Sequence, residues 1–198
     1  MSIRKKILAI SIGPVLVLGV ITLLFILTMV KSSLMDEVQD ALKGTAAATL
    51  AAYDQNTGDY LESTNGDIWK GSYNISKSES LVDRIKENTG MDVTFFYGNK
   101  RIMTSALDKK GNRILGSEAG ERVVNQVIKG KKPFFSTNVS LDGTRNYGYF
   151  IPVYQNGTTD QVIGMVFVGT NKARKDAIVN KILGSIMMAL LVVMLLCI

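Results

Sequence analysis

Residues 134–169 read FFSTNVSLDGTRNYGYFIPVYQNGTTDQVIGMVFVG, and this stretch decides the fold. It contains three β-rich runs with a turn sequence between each pair, in the order Phe134–Leu141, Asp142-Gly143, Arg145–Tyr154, Asn156-Gly157 and Val162–Gly169. Asp-Gly and Asn-Gly between runs of alternating apolar residues favour tight antiparallel connections. The stretch therefore predicts a three-stranded antiparallel meander.

A hairpin is predicted upstream of this meander. Val93–Tyr97 and Arg101–Ala106 are β-rich and are separated by the turn sequence Gly98-Asn99-Lys100. Together the two segments predict an antiparallel sheet of about five strands, which makes the fold class α+β.

Helices are predicted before and between these strands. Over Ser32–Tyr53 the apolar residues recur every four positions, which predicts a long helix with a narrow face rich in small residues. Such a face fits packing on a sheet or a seam between two copies, and the sequence leaves both open. Ser76-Lys-Ser-Glu79 has capping-box spacing before a short helix that ends at Gly90. Ser117–Lys129 predicts another helix, whereas Gln55–Gly66 is rich in turn residues and predicts a loop.

Both ends of the chain are strongly apolar. Ile7–Val30 is a run of 24 residues without a charge, and Ile182–Ile198 is another of 17. As helices these runs would cover about 36 Å and about 25 Å, against a bilayer core of about 30 Å. A cleaved signal peptide would have an apolar region of only about 7–15 residues, so we predict an uncleaved anchor.

These runs predict a two-pass protein of the cell membrane, in contact with lipid. Residues 1–6 form a cytoplasmic tail, 7–30 and 182–198 are transmembrane helices, and 31–181 form one domain. The basic residues of the tail favour a cytoplasmic N-terminus, which places the domain outside the cytoplasm. Because no polar residue follows the second apolar run, we expect the natural chain to continue beyond Ile198.

The composition excludes several kinds of chemistry. The chain has no histidine and one cysteine, which excludes His-based catalytic triads, His-ligated metals, zinc clusters and an intramolecular disulfide. Three of the 23 Lys and Arg residues lie in the N-terminal tail, so the domain carries 20 against 17 Asp and Glu, which is not the charge of a nucleic-acid-binding surface. No G-x-S-x-G motif and no paired carboxylate motif occurs. We expect no cofactor, no nucleic-acid partner and no enzymatic activity, although a Ser–Lys dyad stays open.

The order and spacing of several segments carry a family resemblance. These segments are Thr89–Tyr97, Lys100–Ser105, Gly111–Ser117, Val123–Gly130, Tyr147–Tyr154 and Val162–Gly169. The stretch from Gly90 to Gly169 resembles a single Cache domain, the PAS-like sensor module of methyl-accepting chemotaxis proteins and some sensor kinases. The long helix over Ser32–Tyr53 is similar to the membrane-proximal helix of that family.

The resemblance implies an extracytoplasmic sensor of a small-molecule ligand and transmembrane signalling. It also implies a homodimer and a cytoplasmic signalling module beyond Ile198, with a methyl-accepting chemotaxis receptor as the first hypothesis. The alternatives are the sensor region of a histidine kinase or cyclase and a ligand-free membrane-anchored interaction domain.

Arg101 is the first candidate ligand-binding residue. It begins a β run and is followed by Thr104 and Ser105. A planar guanidinium beside hydroxyl groups suits a carboxylate, and the alternative is a solvated arginine at the end of a hairpin. The resemblance favours the carboxylate, because carboxylate-sensing relatives place a ligand-binding arginine at the start of this strand and a polar residue three positions on.

The resemblance also places a second basic residue two positions before Phe150, where this chain has Gly148. Arg145 is the nearest substitute. This departure argues against a di- or tricarboxylate that needs two cations. We expect a small carboxylate or another small polar metabolite.

The other candidates are aromatic. Tyr147 and Tyr149 share one face of their strand, while Gly148 and Phe150 share the other. Only one of these faces can line a pocket, and the sequence does not say which. Tyr97 is a further candidate with the same ambiguity.

Overall fold

The computed structural model describes residues 3–196, and its elements follow the turn signals of the sequence. In chain order they are α1 (Ile3–Asp54), β1 (Tyr60–Glu62), β2 (Ile68–Lys70), β3 (Tyr73–Asn74), α2 (Glu79–Thr89), β4 (Asp92–Tyr97), β5 (Lys100–Thr104), α3 (Glu121–Val123), a π-helical segment (Val124–Lys129), β6 (Phe134–Leu141), β7 (Thr144–Tyr154), β8 (Val162–Asn171) and α4 (Lys172–Leu196). A 3-10 turn, Ile75–Lys77, precedes α2.

The central sheet has five antiparallel strands in the order β5-β4-β8-β7-β6. The predicted meander is confirmed, with Phe150 opposite Phe167 and Gly148 opposite Gly169 in the ladder between β7 and β8. The hairpin of β4 and β5 is also confirmed, and β4 pairs with β8 along its whole length. The α+β class, the PAS-like sheet and the long N-terminal helix therefore stand as predicted.

Contacts between residues divide the chain into two compact units. Gln39–Ala173 form one, and residues up to Val38 together with those from Arg174 onward form the other. The second unit holds two apolar helical segments, and two helices of the described chain, Val17–Asp54 and Lys172–Val193, are long and apolar enough to cross a membrane. Large apolar side chains at residues 17–29 and 182–193 of these helices are exposed, which suits segments surrounded by lipid.

In the larger unit, α1 buries one face against the sheet. Leu42, Ala46, Thr49 and Tyr53 recur on this face at helical spacing and are fully buried. The ring of Tyr53 packs edge-on against Phe95 of β4 at 5.1 Å between centroids. Its hydroxyl lies 2.9 Å from Ser78 Oγ, and burial raises the pKa of this tyrosine. The narrow face predicted for this helix therefore packs on the sheet.

Two predictions for the residues before α2 need correction. Residues 60–74, half of which were predicted as loop, form the small antiparallel sheet β1-β2-β3, because Tyr60 and Ile68 are buried. The capping-box prediction at Ser76 is also wrong. Ser76 Oγ instead accepts a hydrogen bond from the Ile68 amide, and α2 begins at Glu79 after the N-cap Ser78. Its end at Gly90 is confirmed, with a left-handed φ of 68°.

The helix predicted over Ser117–Lys129 is shorter than expected. The segment before it is extended and follows the outer edge of β5, with the Arg101 amide donating to Ser117 O at 2.9 Å and the Ala119 amide donating to Asn99 O at 2.8 Å. These bonds hold residues 114–119 out of the helical conformation. The helix begins only at Glu121 and turns π-helical at Val124.

Strands β4 and β8 approach so closely at Gly164 that one added methyl group should lower the stability of the fold. A Cβ added at Gly164 would lie 2.0 Å from the carbonyl oxygen of Phe96, which is backbone and cannot move aside. We expect Gly164→Ala to lower the free energy of unfolding of the full chain in detergent micelles by about 1–3 kcal/mol, as overpacking does. Urea denaturation followed by circular dichroism measures this change.

Gly44→Ala is the matched control, because its added Cβ meets nothing within 4 Å on the helix α1. Replacing a helical glycine by alanine should raise stability by up to about 1 kcal/mol. Equal stabilities of the two variants would contradict the tight register of β4 against β8.

Candidate functional site

A cavity of about 640 Å³ lies on the sheet face that carries Phe96, Phe150 and Phe167. Its walls are built by α3 and the residues before it, by β6 and by the start of β5. The phenylalanine rings belong to a buried apolar cluster beneath the cavity, which also includes Val127 of the π-helical segment. The floor is therefore apolar and fixed by packing.

Two glycines leave room for a phenylalanine ring in the floor of the cavity. Gly148 and Gly169 are opposite one another on β7 and β8. A Cβ at Gly148 would come 2.5 Å from Cε2 of Phe167, and one at Gly169 would come 2.4 Å from its Cζ. The ring of Phe167 thus occupies the space that two side chains would fill. Any residue with a Cβ at either position would push this ring toward the cavity.

Arg101 places a buried cation in the wall of this cavity. Only 8% of the residue is exposed, and its guanidinium carbon lies 5.3 Å from the centroid of the Phe96 ring. Nη1 donates to Ile114 O at 3.3 Å, while Nε is buried without a hydrogen-bond partner. Within residues 3–196 the guanidinium has no ion pair. Burial lowers the pKa of Arg101, and Asp92 partly offsets this.

A second arginine, Arg113, shows what a structural role looks like in the same segment. Its Nη1 and Nη2 donate to the two carboxylate oxygens of Asp83 at 2.9 and 2.6 Å. Nη1 also donates to the carbonyl oxygen of Thr104 at 2.7 Å. This fork joins the segment after β5 to α2, and it lowers the pKa of the Asp83 carboxyl. The Arg113 guanidinium thus has an anionic partner within residues 3–196, whereas the Arg101 guanidinium does not.

Thr104 and Ser105 are buried but point their hydroxyls into the protein. Thr104 Oγ1 lies 2.7 Å from Thr94 Oγ1 and accepts from the Ala106 amide at 3.1 Å. Ser105 Oγ accepts from the Val93 amide and donates to Asp92. Neither residue lines the cavity, so the structure separates both from Arg101.

Of the other predicted site residues, Phe150 lines the cavity. Tyr147 and Tyr149 lie on the opposite face of the sheet, with Tyr147 stacked on Phe135 at 6.3 Å. Arg145 is exposed on β7, and Tyr97 is half-buried at the end of β4, both outside the cavity lining.

Sequence reasoning missed two charged residues of the cavity wall. Arg122 and Glu118 line the cavity, and the Arg122 guanidinium carbon lies 5.3 Å from the centroid of the Phe134 ring. The second cation of the site therefore comes from α3. The space beside Gly148, where the resemblance places a basic residue, is occupied by the ring of Phe167. The signal was the pair of charges around Gly120, just where the extended segment becomes a helix.

Comparisons with known proteins agree with this architecture. A sequence model described as single Cache domain 3 matches residues 73–182. Among solved structures the chain is similar to an extracellular ligand binding receptor from Desulfohalobium retbaense DSM5692, with a TM-score of 0.52 and 16% identity over 78% of this chain and 26% of that chain. At this identity the likeness concerns the fold alone.

A second solved structure, described as methyl-accepting chemotaxis protein X, is also similar. Its TM-score is 0.40 and its identity is 16%, over 75% of this chain and 64% of that chain. The present chain thus spans about a quarter of the first structure and just under two thirds of the second. No curated protein matches the chain.

The contrast between the two arginines predicts opposite effects on stability. Arg101→Met removes a buried charge without an ion-pair partner, so we expect the free energy of unfolding to stay unchanged or to rise. Arg113→Met breaks the fork to Asp83 and leaves the Thr104 carbonyl without that donor, which should cost about 1–3 kcal/mol. Urea denaturation of the full chain in micelles, without added carboxylates, measures both.

The Arg113→Met effect should fade at acid pH. The depressed pKa of Asp83 means that this ion pair stabilises the fold above the unfolded-state value of about 3.9. The contribution is lost as the pH falls through the lower folded-state pKa. Equal losses of stability in the two variants at pH 7 would make Arg101 a structural residue.

Proposed function

The chain belongs to the family of single Cache domains, and we propose that it detects a small carboxylate outside the cytoplasm and signals across the membrane as the sensor region of a chemotaxis receptor. The observation that carries this proposal is Arg101, a buried guanidinium in a cavity wall whose Nε has no hydrogen-bond partner. Cache membership supports a sensory rather than an enzymatic role.

A carboxylate is the group that Arg101 lacks. Its two oxygens match the planar fork of a guanidinium, and such charge-assisted bonds are worth about 1.5–3 kcal/mol each. The bond to Ile114 O uses only Nη1 of the guanidinium. The ligand would supply the negative charge that Asp83 supplies to Arg113.

The volume of the cavity argues against the ligand-free interaction domain. Pockets of about 300–1,000 Å³ are typical of small-molecule sites, and this one has about 640 Å³ that side chains leave open. A domain that served only as a scaffold would gain stability by filling this space.

Lys172 supplies a route from the cavity to α4. Thr137 and Asn138 form a bulge in β6 and line the cavity. Lys172, the first residue of α4, donates from Nζ to the Thr137 carbonyl oxygen at 3.1 Å and lies 5.1 Å from the centroid of the Tyr147 ring. We propose that a ligand which displaces the bulge changes this contact and so biases the start of α4. The homodimer, the lipid contacts and the cytoplasmic module stay predictions.

Ligand binding tests the role of Arg101. We expect isothermal titration calorimetry of the full chain in lipid nanodiscs to detect saturable binding of at least one member of a panel of mono-, di- and tricarboxylates. Arg101→Met should weaken that binding by about 10- to 100-fold, which corresponds to the loss of about one charge-assisted bond.

Arg145→Met is the matched control, because Arg145 is exposed and lies outside the cavity. It should bind as the unaltered chain does. No binding by any carboxylate, or equal binding by the Arg101→Met variant, would overturn the proposed function.

Signalling tests the role of Lys172. We expect Lys172→Met, in a hybrid receptor with the chain joined to a chemotaxis signalling module, to reduce the response to a bound carboxylate. A hydrogen bond of about 1 kcal/mol shifts a two-state equilibrium about fivefold, so the affinity should change by no more than that factor. Swimming assays and calorimetry measure the two quantities.

Lys175→Met removes the same charge from the same helix and is the matched control. A full response in the Lys172→Met hybrid, or an equal loss in both variants, would show that the contact with Thr137 carries no signal.

A further inference from the structure

The cavity concentrates aromatic rings. Five of the seven phenylalanines in the chain line it, namely Phe96, Phe134, Phe135, Phe150 and Phe167, and of these the ring of Phe135 stacks on Tyr147 of the opposite face. Phe150 and Phe167 have ring centroids 4.8 Å apart, and Phe134 follows at 6.4 Å from Phe150. Phe150 and Phe167 are almost completely buried, so the apolar surface that a ligand can reach in this cavity is formed by the half-buried Phe134, Val123 and Val139. Such a surface binds a flat apolar body through burial and through contact with the ring of Phe134.

The charges of the wall suit one negative charge. Arg101, Arg122 and Glu118 are the ionisable residues among those that line the cavity, and together they carry +1. Only Arg101 is buried, whereas Arg122 and Glu118 are exposed. A second or third carboxylate on the ligand would face one exposed arginine beside a glutamate. A monoanion is matched without an excess charge of either sign.

The size of the cavity exceeds what a very small acid needs. Acetate has four non-hydrogen atoms, and sites of about 300–1,000 Å³ hold drug-sized ligands. With acetate alone at Arg101, the half-buried side chains of Phe134, Val123 and Val139 would stay in contact with water. A larger apolar body would displace that water, which is favourable in proportion to the apolar area buried.

We propose that the ligand is a monocarboxylate with an aromatic or similarly flat apolar body. Its carboxylate contacts Arg101, and its body lies against the apolar lining formed by Phe134, Val123 and Val139. This inference rests on the proposed function, because it needs Arg101 to hold the carboxylate. It goes further by placing the specificity in this apolar lining rather than in a second cation.

Four probes test the inference by calorimetry on the full chain in nanodiscs. They are phenylacetate, acetate, succinate and 2-phenylethanol. We expect phenylacetate to bind about 10- to 100-fold more tightly than acetate, as burial of one phenyl group predicts. Succinate should bind no better than acetate, and 2-phenylethanol should bind far more weakly than phenylacetate because it lacks the charge.

A variant that fills the cavity tests where the ring lies. Val123 is half-buried and lines the cavity, whereas its neighbour Val124 does not. Val123→Phe should weaken phenylacetate at least tenfold and leave acetate within about twofold, while the matched Val124→Phe should leave both unchanged. The unfolding midpoint of each variant checks that it is folded, and the order of the four probes on the unaltered chain tests the proposal by itself.

The outcomes separate this inference from the proposed function. If acetate or succinate binds as tightly as phenylacetate and loses affinity in Arg101→Met, the carboxylate site stands and the aromatic body is wrong. If 2-phenylethanol binds as tightly as phenylacetate, the apolar lining binds the phenyl group without help from Arg101, and the carboxylate role is wrong. If none of the four probes binds, the aromatic monocarboxylate is wrong, and the wider carboxylate panel decides the proposed function.

Discussion

The arrangement of this domain depends on keeping out of water one guanidinium that has no ion pair among residues 3–196. Moving a cation from water into a protein is costly unless opposite charge or hydrogen bonds replace its hydration. Arg101 receives one carbonyl and the face of Phe96, which replace only part of it. The remaining cost of burying the cation is offset by the stability of the surrounding structure. Residues 114–119 follow β5 and are attached to α2 through Arg113 and Asp83. Stability elsewhere in the domain thus maintains a costly group at the cavity.

A second constraint is the space that Gly148 and Gly169 leave above the sheet. Because neither has a side chain, the Phe167 ring lies where two Cβ atoms would be. The floor of the cavity is therefore set by backbone positions, which move less than side chains do. This explains how an apolar cavity persists beside a tightly packed cluster instead of being filled by its own rings.

The sequence predicted the elements that local chemistry specifies. Turn residues such as Asp142-Gly143 determined the meander, and Gly90 determined the end of α2. Predictions failed where contacts distant in sequence decide the structure. Residues 114–119 are extended because they pair with β5, which no local propensity reveals. Distant contacts also decide the site. Alternation along β7 defines two faces of the strand, and because α1 packs on one of them, Phe150 on the other face points toward the cavity. Arg122 enters from an element whose start depends on that same pairing.

The bulge of β6 has a further consequence for how the edge of the sheet meets other chains. In the described part of the chain β6 pairs only with β7, so it is an edge strand. Regular edge strands offer a row of free amides and carbonyls on which other chains add strands and aggregate. The irregular register between Ser136 and Val139, with a lysine ammonium placed on Thr137 O, makes this edge a poor template for such growth. The irregularity that lines the cavity therefore also makes this edge of the sheet unsuited to the addition of a further strand.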